Sequence, residues 1–452
     1  MMGNYQGYQK YKDSGVEWLG DIPEHWEAVG LTKYLQSLVD YRGKTPEKTK
    51  DGIFLVTAKN IKNGIIDYSL SQEFIKEDEY DEIMRRGKPE IGDVLLTTEA
   101  PLGEVANVDN TNIALAQRVI KMRGKIGVLY NYFLKYWILG ASFSQNIQSL
   151  CTGSTALGIK ASKLCLLKVV LPPLNEQEKI AQFLDYKTKQ IDELIKKKET
   201  LIEKLDEKRT AIISHAVTKG LDSSVPIKDS GIEWLGDIPK HWKIIPIKRF
   251  SQIYDCKHKT VSFVDDGIPV ASIAQVQNFY IDLLIAKMTT KEEFIEMIEG
   301  GRKPQNGDII LSRNATVGAS AIVQDDLFCM GQDVCLIRPV KANSVFLNYN
   351  FLAFFTKSQI DTCLLGSTFK RINVEEVKNL LICLPLLEEQ KQIAQYLDQK
   401  TAQIDQQKAK IKQAIELLKE YRTSLITNAV TGKIDVSQIA IPSPQKPQPQ
   451  KG

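Results

Sequence analysis

The chain has 452 residues, enough for two or three domains with sizeable cores, and its 43% hydrophobic and 25% charged residues are typical of a globular protein. The net charge of +4 permits a polyanionic partner without requiring one. The seven cysteines include no C-x-x-C pair and only four histidines are present, so we expect neither a disulfide framework nor a metal site. No signal peptide and no apolar run of about 18 residues is evident, which predicts a cytoplasmic protein.

Near the N-terminus, the motif DSGVEWLGDIPEHW occupies residues 13–26 and returns at 229–242, with 12 of 14 positions identical. The two copies contain four of the five tryptophans. Their Gly-Asp and Ile-Pro steps break regular structure, which predicts a packed loop with aromatic anchors. We interpret this loop, including His25 and His241, as a structural clasp rather than a site of chemistry.

Between Leu31 and about Leu171, short apolar runs are separated by Gly, Pro and Asn-Gly steps, which predicts a mixed, mostly β domain. The runs of strand length lie at 52–58, 93–98, 114–122 and 166–172. The aromatic-rich stretch 128–150 predicts a core helix. The second half repeats the pattern, with runs at 267–274, 308–313, 332–339, 346–355 and 379–385.

Two stretches without Gly or Pro, 175–217 and 388–430, carry apolar or long-stemmed residues at heptad spacing, which predicts two long helices with a coiled-coil seam. Asn175 and Glu178 suggest a capping box at the start of the first. Residues 171–192 and 384–405 are identical at 15 of 22 positions, so the two helices are expected to pair with each other. The predicted seam comprises Ile180, Leu184, Ile191, Leu194, Leu201, Leu205, Ile212, Ile393, Leu397, Ile404, Ile411, Leu418 and Leu425.

The predicted fold class is α+β: two mixed, mostly β domains, two long helices and an internal two-fold pseudo-repeat. The expected boundaries are 1–172 for the first domain, 173–220 for the first helix, 221–385 for the second domain, 386–432 for the second helix and 433–452 for a disordered Pro/Gln-rich tail. The residues alone leave open whether the helices are parallel or antiparallel.

Several sequence signatures of catalysis are missing. The chain contains no G-x-G, no G-x-x-x-x-G followed by Lys-Ser/Thr, no H-E-x-x-H, and no Asn or Asp before a Pro-Pro pair, as an amino-methyltransferase would need. We therefore expect no catalytic site, and no cofactor or metal bound by this chain.

Five motifs in chain order resemble those of the specificity subunit of type I restriction-modification systems (HsdS). They are the two clasp motifs, Asp-Tyr-Arg-Gly-Lys-Thr-Pro at 40–46, Gly-Ser-Thr at 153–155 and 366–368, the paired helix starts at 171–192 and 384–405, and Ala-Val-Thr-Gly-Lys-Ile-Asp at 429–435. The resemblance covers essentially the whole chain except the tail. One departure is that the second half keeps only Lys259-Thr260 of the Arg-Gly-Lys-Thr-Pro loop.

The resemblance implies two target-recognition domains, each reading one half of a split, asymmetric site in double-stranded DNA. It also implies an antiparallel pair of long helices that sets the gap between the half-sites. The partners expected from the resemblance are two adenine methyltransferase subunits and two restriction/translocase subunits. S-adenosylmethionine, ATP and Mg are expected in those partners, and this chain is expected to be non-catalytic.

The DNA-reading residues are expected in the loops that differ between the halves. Base edges need side chains with bidentate reach, and phosphates bind Lys, Arg and small polar groups. We expect contacts from Arg42, Lys44, Lys59, Asn60, Lys62, Asn63, Lys257, Lys259, Arg313, Asn314, Lys370 and Arg371. The sequence leaves two alternatives open: a specificity subunit of another restriction type, or a scaffold that joins proteins without binding DNA.

Overall fold

The computed structural model describes residues 5–41, 46–116, 118–151, 158–324, 326–364 and 371–442. The chain divides into two compact units. The first unit comprises Met1–Lys198 with Gln413–Gly452, and the second comprises Glu199–Lys412. Each unit therefore contains one globular part and a segment of each long helix.

Within the described part of the first unit, a four-stranded sheet and a three-stranded sheet are accompanied by three strand pairs. The strands are β1 (Tyr11–Asp13), β2 (Asp21–Pro23), β3 (Glu27–Gly30), β4 (Leu35–Asp40), β5 (Ile53–Val56), β6 (Ile61–Lys62), β7 (Ile65–Ile66), β8 (Phe74–Ile75), β9 (Val94–Thr98), β10 (Leu102–Asn107), β11 (Ile113–Leu115), β12 (Val119–Gly124) and β13 (Lys168–Leu171). The larger sheet has the order β10-β9-β12-β4 and is antiparallel. The smaller sheet, β11-β5-β8, contains one parallel pair.

The helices that begin in this unit are α1 (Tyr80–Ile83), α2 (Asn131–Leu139), α3 (Ala141–Ser149) and α4 (Leu174–Lys219). The single helix predicted over 128–150 is interrupted at Gly140, which is extended, with φ −70° and ψ 146°. The predicted capping box is also wrong, because Asn175 lies inside the first turn of α4 and the carbonyl of Pro173 accepts from Glu176 and Gln177.

The second unit repeats this architecture. Its strands are β14 (Ile227–Asp229), β15 (Asp237–Pro239), β16 (Lys243–Pro246), β17 (Ser251–Asp255), β18 (Ile268–Ala271), β19 (Lys287–Thr289), β20 (Ile309–Ser312), β21 (Ser320–Ile322), β22 (Cys329–Met330), β23 (Val334–Pro339) and β24 (Leu381–Leu384). Its helices are α5 (Lys291–Met297), α6 (Ser344–Leu352), α7 (Phe354–Leu364), α8 (Val374–Asn379) and α9 (Leu387–Val430). The order β17-β23-β20-β21 reproduces β4-β12-β9-β10, which confirms the internal repeat.

One strand-like run was assigned to the wrong element. Residues 346–355 belong to α6 and α7, whereas the equivalent stretch of the first half was correctly predicted as helical. A short run that is apolar on all sides has neither the period of a strand nor that of an amphipathic helix. The residues in question are buried on every face of α6, which removes the periodic signal.

The two long helices pair in opposite directions within each unit. In the second unit, Asp206 of α4 pairs with Lys408 of α9, and Arg209, three residues later, pairs with Asp405, three residues earlier. In the first unit, Asp192 of α4 pairs with Arg422 of α9, and Lys179, nearer the start of α4, bonds to the carbonyl of Ser437 beyond the end of α9. These contacts confirm the antiparallel pair.

Most residues of the predicted seam are buried or partly buried, and two in the middle of α4 are exposed. Ile180, Leu184, Ile191, Leu205, Ile393, Leu397, Ile404 and Leu425 are buried, and Ile212, Ile411 and Leu418 are partly buried. Leu194 and Leu201 are 43% and 46% exposed, so placing them in the seam was wrong. A helix turns by about 100° per residue, so the residues three and four positions after a given residue lie on opposite sides of it. Ile195 and Ile202, four residues after Ile191 and Lys198, are partly buried, whereas Leu194 and Leu201, three residues after them, are exposed.

The tryptophan motif of each unit clasps the start of a long helix. In the first unit, Glu176 of α4 accepts hydrogen bonds from Trp26 Nε1 at 3.0 Å and Tyr8 OH at 3.0 Å, and lies 2.7 Å from His25 Nε2. In the second, Glu389 of α9 accepts from Trp242 Nε1 at 3.1 Å. The structural interpretation of these motifs is therefore confirmed.

The glutamine after each clasp carboxylate fixes the helix to the globular part. Gln177 is fully buried, accepts from the Tyr130 N–H at 2.8 Å and donates to the carbonyl groups of Val128 and Pro172. Gln390 repeats the arrangement with Asn343 and Pro385 in the second unit. Each globular part is thus held on its own helix by buried polar contacts as well as by apolar packing.

The first residues of the predicted tail belong to the globular core. Ile434 and Val436 are buried in the core of the first unit. Residues 443–452 lie outside the described residues.

Candidate nucleic-acid interface

The four-stranded sheet of the second unit brings several predicted residues to one edge. Strands β17 and β20 end there, at Asp255 and Ser312, and the antiparallel β23 begins there, at Val334. The Arg313 N–H donates to the carbonyl of Asp333 at 2.8 Å, and the Ile372 N–H donates to the carbonyl of Arg313 at 3.0 Å. We call this set of loop residues, at 255–260, 313–317, 331–333 and 371, the second recognition edge.

Four of the predicted side chains at this edge are accessible. Lys257 and Lys259 pair with Glu299 and Glu296 of the segment around α5, each at 2.5 Å. The hydrogen bond to Glu296 raises the pKa of Lys259, so that lysine stays protonated. Asn314 and Arg371 form an isolated antiparallel bridge, and the Arg371 guanidinium lies 3.5 Å from Asp333. Lys370 lies outside the described residues.

Arg313 differs from these four because its side chain is inside the protein. It is almost fully buried, and its Nη2 donates to Asp255 Oδ1 at 2.5 Å. Its Nε is buried and has no hydrogen-bond partner among the residues that the structure describes. We therefore interpret Arg313 as a residue that supports the second recognition edge rather than as a direct reader of bases.

The first unit presents the equivalent edge. There β4 and β9 end at Asp40 and Thr98, and β12 begins at Val119. The Thr98 N–H donates to the carbonyl of Arg118 at 2.9 Å, which repeats the Arg313–Asp333 backbone bond at an offset of 215 residues. The Glu99 carboxylate pairs with the Arg118 guanidinium at 3.0 Å, and the Glu99 backbone forms an isolated antiparallel β-bridge with Gly158. We call the loops at 46–48, 57–63, 99–101, 118 and 158 the first recognition edge.

The predicted residues of the first half are divided in the structure. Lys59, Lys62 and Asn63 are exposed, and Arg42 and Lys44 lie outside the described residues. Asn60 is fully buried: its Oδ1 accepts from the Thr57 N–H at 2.9 Å, and its amide donates to the carbonyl groups of Asp67 and Leu70. The Asn60 side chain thus holds the loop that carries Lys59, and it leaves no group free for a base.

Two cations at the first recognition edge were missed by sequence reasoning. Lys48 and Arg118 line a groove of about 270 Å³ together with Lys59, Thr57 and Ser71. Arg118 lies in the middle of the run 114–122, which the apolar pattern predicts to be one strand. The structure splits that run into β11 and β12, and the break carries Arg118 to the edge. The alignment of Arg118 with Asp333 at offset 215 is the signal that could have marked it.

Both recognition edges hold non-glycine residues in the left-handed region of backbone space. Arg118 and Asp333, at equivalent positions, have φ of 79° and 64°. Ala100 and Ala315, also equivalent, have φ of 45° and 55°. Such conformations cost roughly 1–3 kcal/mol each and tend to occur at functional sites. Their recurrence at the same place in both units marks these edges as places where side-chain direction matters.

The groove at the second recognition edge has different walls. It encloses about 400 Å³ and is lined by Lys259, Thr260, Val261, Phe263, Val270, Ser272, Ile273, Ala274, Gln275, Ile285, Lys287, Gly331, Gln332 and Asp333. Lys287 Nζ lies 4.7 Å from the centre of the half-exposed Phe263 ring. Gln332 is exposed and donates to Thr260 Oγ1 at 2.8 Å. The second groove is therefore more apolar than the first and carries an amide at its rim.

Among the described residues, one group of side chains has the composition of a metal site, namely Asp255, Cys256 and His258 at the second recognition edge. The described residues include no helix that is both long and apolar enough to cross a membrane.

Comparisons with known proteins agree on one family. Residues 23–204 and 239–417 match the family described as type I restriction modification DNA specificity domain. Two relatives are specificity subunits of type I restriction enzymes from Methanocaldococcus jannaschii. The putative MjaX subunit is 28% identical over 92% of this chain and 96% of that protein. The MjaVIII subunit is 25% identical over 92% of this chain and 95% of that protein. The EcoKI specificity subunit of Escherichia coli K12 is 21% identical over 92% of this chain and 90% of that protein.

The fold agrees with solved structures. A chain from a study of the assembly and conformational transition of a type I restriction-modification system has a TM-score of 0.70 and 18% identity, over 91% of this chain and 99% of that one. The HsdS subunit of Thermoanaerobacter tengcongensis has a TM-score of 0.51 and 19% identity, over 91% and 98%.

Two copies of a specificity domain, each with a recognition edge of its own, define a protein that recognises DNA sites through two target-recognition domains. The chain belongs to the type I restriction-modification DNA specificity family, and the resemblance to HsdS is confirmed.

Proposed function

We propose that this specificity subunit reads a bipartite, asymmetric site in double-stranded DNA, one half with each recognition edge. The observation that carries the proposal is that one backbone arrangement presents different side chains in the two units. Glu99 and Arg118 of the first edge correspond to Asn314 and Asp333 of the second. Because base edges are distinguished by the donors and acceptors they meet, equivalent edges with different side chains read different sequences.

The two edges favour different base chemistry. The first offers Lys48, Lys59 and Arg118, and a bidentate cation is the commonest partner of guanine O6 and N7. The second offers the Gln332 amide beside apolar walls, which suit adenine N6 and N7 and the thymine methyl group. The first half-site is thus expected to include a G·C pair, and the second an A·T pair. Lys62, Lys257 and Arg371 suit phosphate contacts around these pairs.

The subunit acts, in this proposal, without catalysis of its own. It directs two adenine methyltransferase subunits, and in the restriction complex two translocase subunits, to the site. S-adenosylmethionine, ATP and Mg are bound by those partners, and the complex works in the cytoplasm. The same strand order in both units supports two equivalent partner subunits, because units of the same architecture present equivalent surfaces.

Mapping of methylated adenines tests the proposal. The chain would be expressed with its methyltransferase subunit in cells that lack other adenine methylation, and modified sites would be sequenced. We expect one motif with two specified halves and an unspecified gap. A variant with Glu99, Ala100 and Arg118 replaced should change the first half only, and a Gln332 variant the second half only. A single continuous motif, or a change of both halves by either variant, would contradict the proposal.

A further inference from the structure

Three side chains of different chemistry converge at the start of the second recognition edge. His258 Nδ1 lies 3.6 Å from Cys256 Sγ, and His258 Nε2 lies 3.1 Å from Asp255 Oδ2. All three potential ligand atoms lie within 4.8 Å of one another. His258 adopts a φ of 51°, a left-handed conformation that turns the chain back and places its ring beside Cys256.

We propose that Cys256 Sγ and His258 Nδ1 bind a thiophilic divalent metal ion, with zinc as the representative case. Zn–S and Zn–N bonds of about 2.3 and 2.05 Å at a tetrahedral angle place sulfur and nitrogen about 3.6 Å apart. The observed separation is 3.6 Å, so the two ligand atoms already lie as far apart as a shared zinc ion requires.

Asp255 supports the site by accepting a hydrogen bond from His258, without binding the metal itself. A carboxylate that accepts the Nε2–H of an imidazole fixes the tautomer in which Nδ1 is free to bind a metal, and it raises the basicity of that nitrogen. Asp255 also accepts from Arg313, whose Nη2 lies 3.6 Å from Cys256 Sγ. On binding, the thiol proton leaves to solvent and the thiolate becomes the ligand. The thiolate and the Asp255 carboxylate offset the metal charge beside Arg313, and water fills the remaining positions.

Access distinguishes this site from a nucleophilic Cys-His-Asp centre. Cys256 is 2% exposed, which gives a bulky substrate no approach to sulfur. The His258 side chain is half exposed and offers an open path for a small hydrated ion. The first unit has Tyr41 and Gly43 where the second has Cys256 and His258, so the site belongs to the second half of the chain only.

Zinc binding to the full-length chain tests the proposal without DNA, so its outcome is separable from that of the proposed function. Equilibrium dialysis with elemental analysis would compare the wild type with Cys256→Ser and His258→Gln, and with Cys165→Ser as an exposed thiol control in the first unit. We expect one zinc ion per chain, an affinity lowered about tenfold or more in the two site variants, and no change in the control.

Two further readouts separate loss of the ligand from loss of the fold. Zinc should raise the thermal midpoint of the wild type and of Cys165→Ser, and leave that of Cys256→Ser unchanged. Cobalt(II) should give a thiolate-to-metal charge-transfer band that Cys256→Ser removes. Equal zinc affinity in wild type and Cys256→Ser, or no stoichiometric uptake by the wild type, would overturn the proposal and leave a simple thiol–imidazole hydrogen bond.

Discussion

Arg422 of α9 joins the helix pair of the first unit to its recognition edge. Its Nε donates to Asp192 Oδ1 of α4 at 2.9 Å, and its Nη2 donates to the carbonyl of Asn63 at 3.2 Å. The repeat places Arg209 and Asp405 at the equivalent positions of the second unit, where the N···O separation is 3.9 Å. One arginine thus ties together two elements that sequence reasoning had assigned to different roles.

Replacing Arg422 should therefore affect both stability and reading of the first half-site. Because Asp192 is half exposed, we expect Arg422→Met to lower the free energy of unfolding of the first unit by only about 0.5–1 kcal/mol. The freed 61–66 hairpin should weaken discrimination at the first half-site. Urea unfolding and methylation mapping would measure the two effects. Arg209→Met is the matched control, with a smaller loss of stability and an unaltered first half-site.

Arg118 provides the sharpest test of the first recognition edge. We expect Arg118→Ala to weaken binding of the cognate site by about 1–3 kcal/mol and to relax one position of the first half-site. Lys125→Ala is the control, since Lys125 follows the opposite end of the same strand β12. Fluorescence anisotropy of the assembled methyltransferase with specific and scrambled duplexes would separate them. Equal effects of the two substitutions would mean that Arg118 contributes only overall charge.

The clasp carboxylate should be a large contributor to stability. Glu176→Gln keeps the shape of the side chain but removes the negative charge that Trp26, Tyr8 and His25 contact. We expect the free energy of unfolding to fall by about 1–3 kcal/mol. Glu178→Gln, two residues on and exposed, should change stability by less than about 0.5 kcal/mol. Hydrogen exchange of peptides at the start of α4 would report the difference.

Asp93 should make the first unit sensitive to acid. It is fully buried beside Lys121 and Arg123. Burial would raise the pKa of the Asp93 carboxyl, but hydrogen bonds from Arg123 and the Glu90 N–H, with the charge of Lys121, lower that pKa below its usual value. Its stabilisation is therefore complete above the unfolded-state pKa of about 3.9 and is lost as the pH falls through the lower folded-state value.

Asp93→Asn should lower stability at pH 7 by roughly 3–5 kcal/mol, because it leaves Lys121 buried without a counter-charge. The remaining stability should depend less on pH in the acid range. The control is Asp308→Asn in the second unit, where Leu336 replaces the buried lysine and the partner is Arg338. Denaturation curves at several pH values would compare them, and equal losses in the two variants would contradict the assigned role of Lys121.

The corrected helix seam makes a simple prediction within the second unit. Leu205 is 9% exposed and Leu201 46%, although both lie on predicted seam rows. Leu205→Ala should cost roughly 2 kcal/mol through lost packing, and Leu201→Ala less than about 0.5 kcal/mol. Urea midpoints of the two variants would decide between the predicted seam and the observed one.

The two long helices, the repeat and most strands were predictable because heptads, duplicated motifs and apolar runs are local signals. Whether Leu201 or Ile202 faces the partner helix was not predictable, because both residues are apolar and only the partner helix selects one of them. Arg118 was hidden inside an apparent strand, since a left-handed residue leaves no mark on an apolar pattern. The buried roles of Asn60 and Arg313 were also invisible, because residue type alone does not tell a loop-supporting amide or guanidinium from one that faces a ligand.

The left-handed residues at the two edges bear on how such a protein acquires new targets. Arg118 and Asp333 share one backbone conformation and one hydrogen bond through the main chain, yet carry opposite charges. The shape of the edge is therefore specified by carbonyl and amide groups, which every replacement except proline retains, while the apolar residues that hold the sheet lie elsewhere. Under the proposed function, we expect substitutions at these two positions to change the preferred DNA sequence while the main-chain hydrogen bond is kept, so a lineage can exchange one target for another on the same framework.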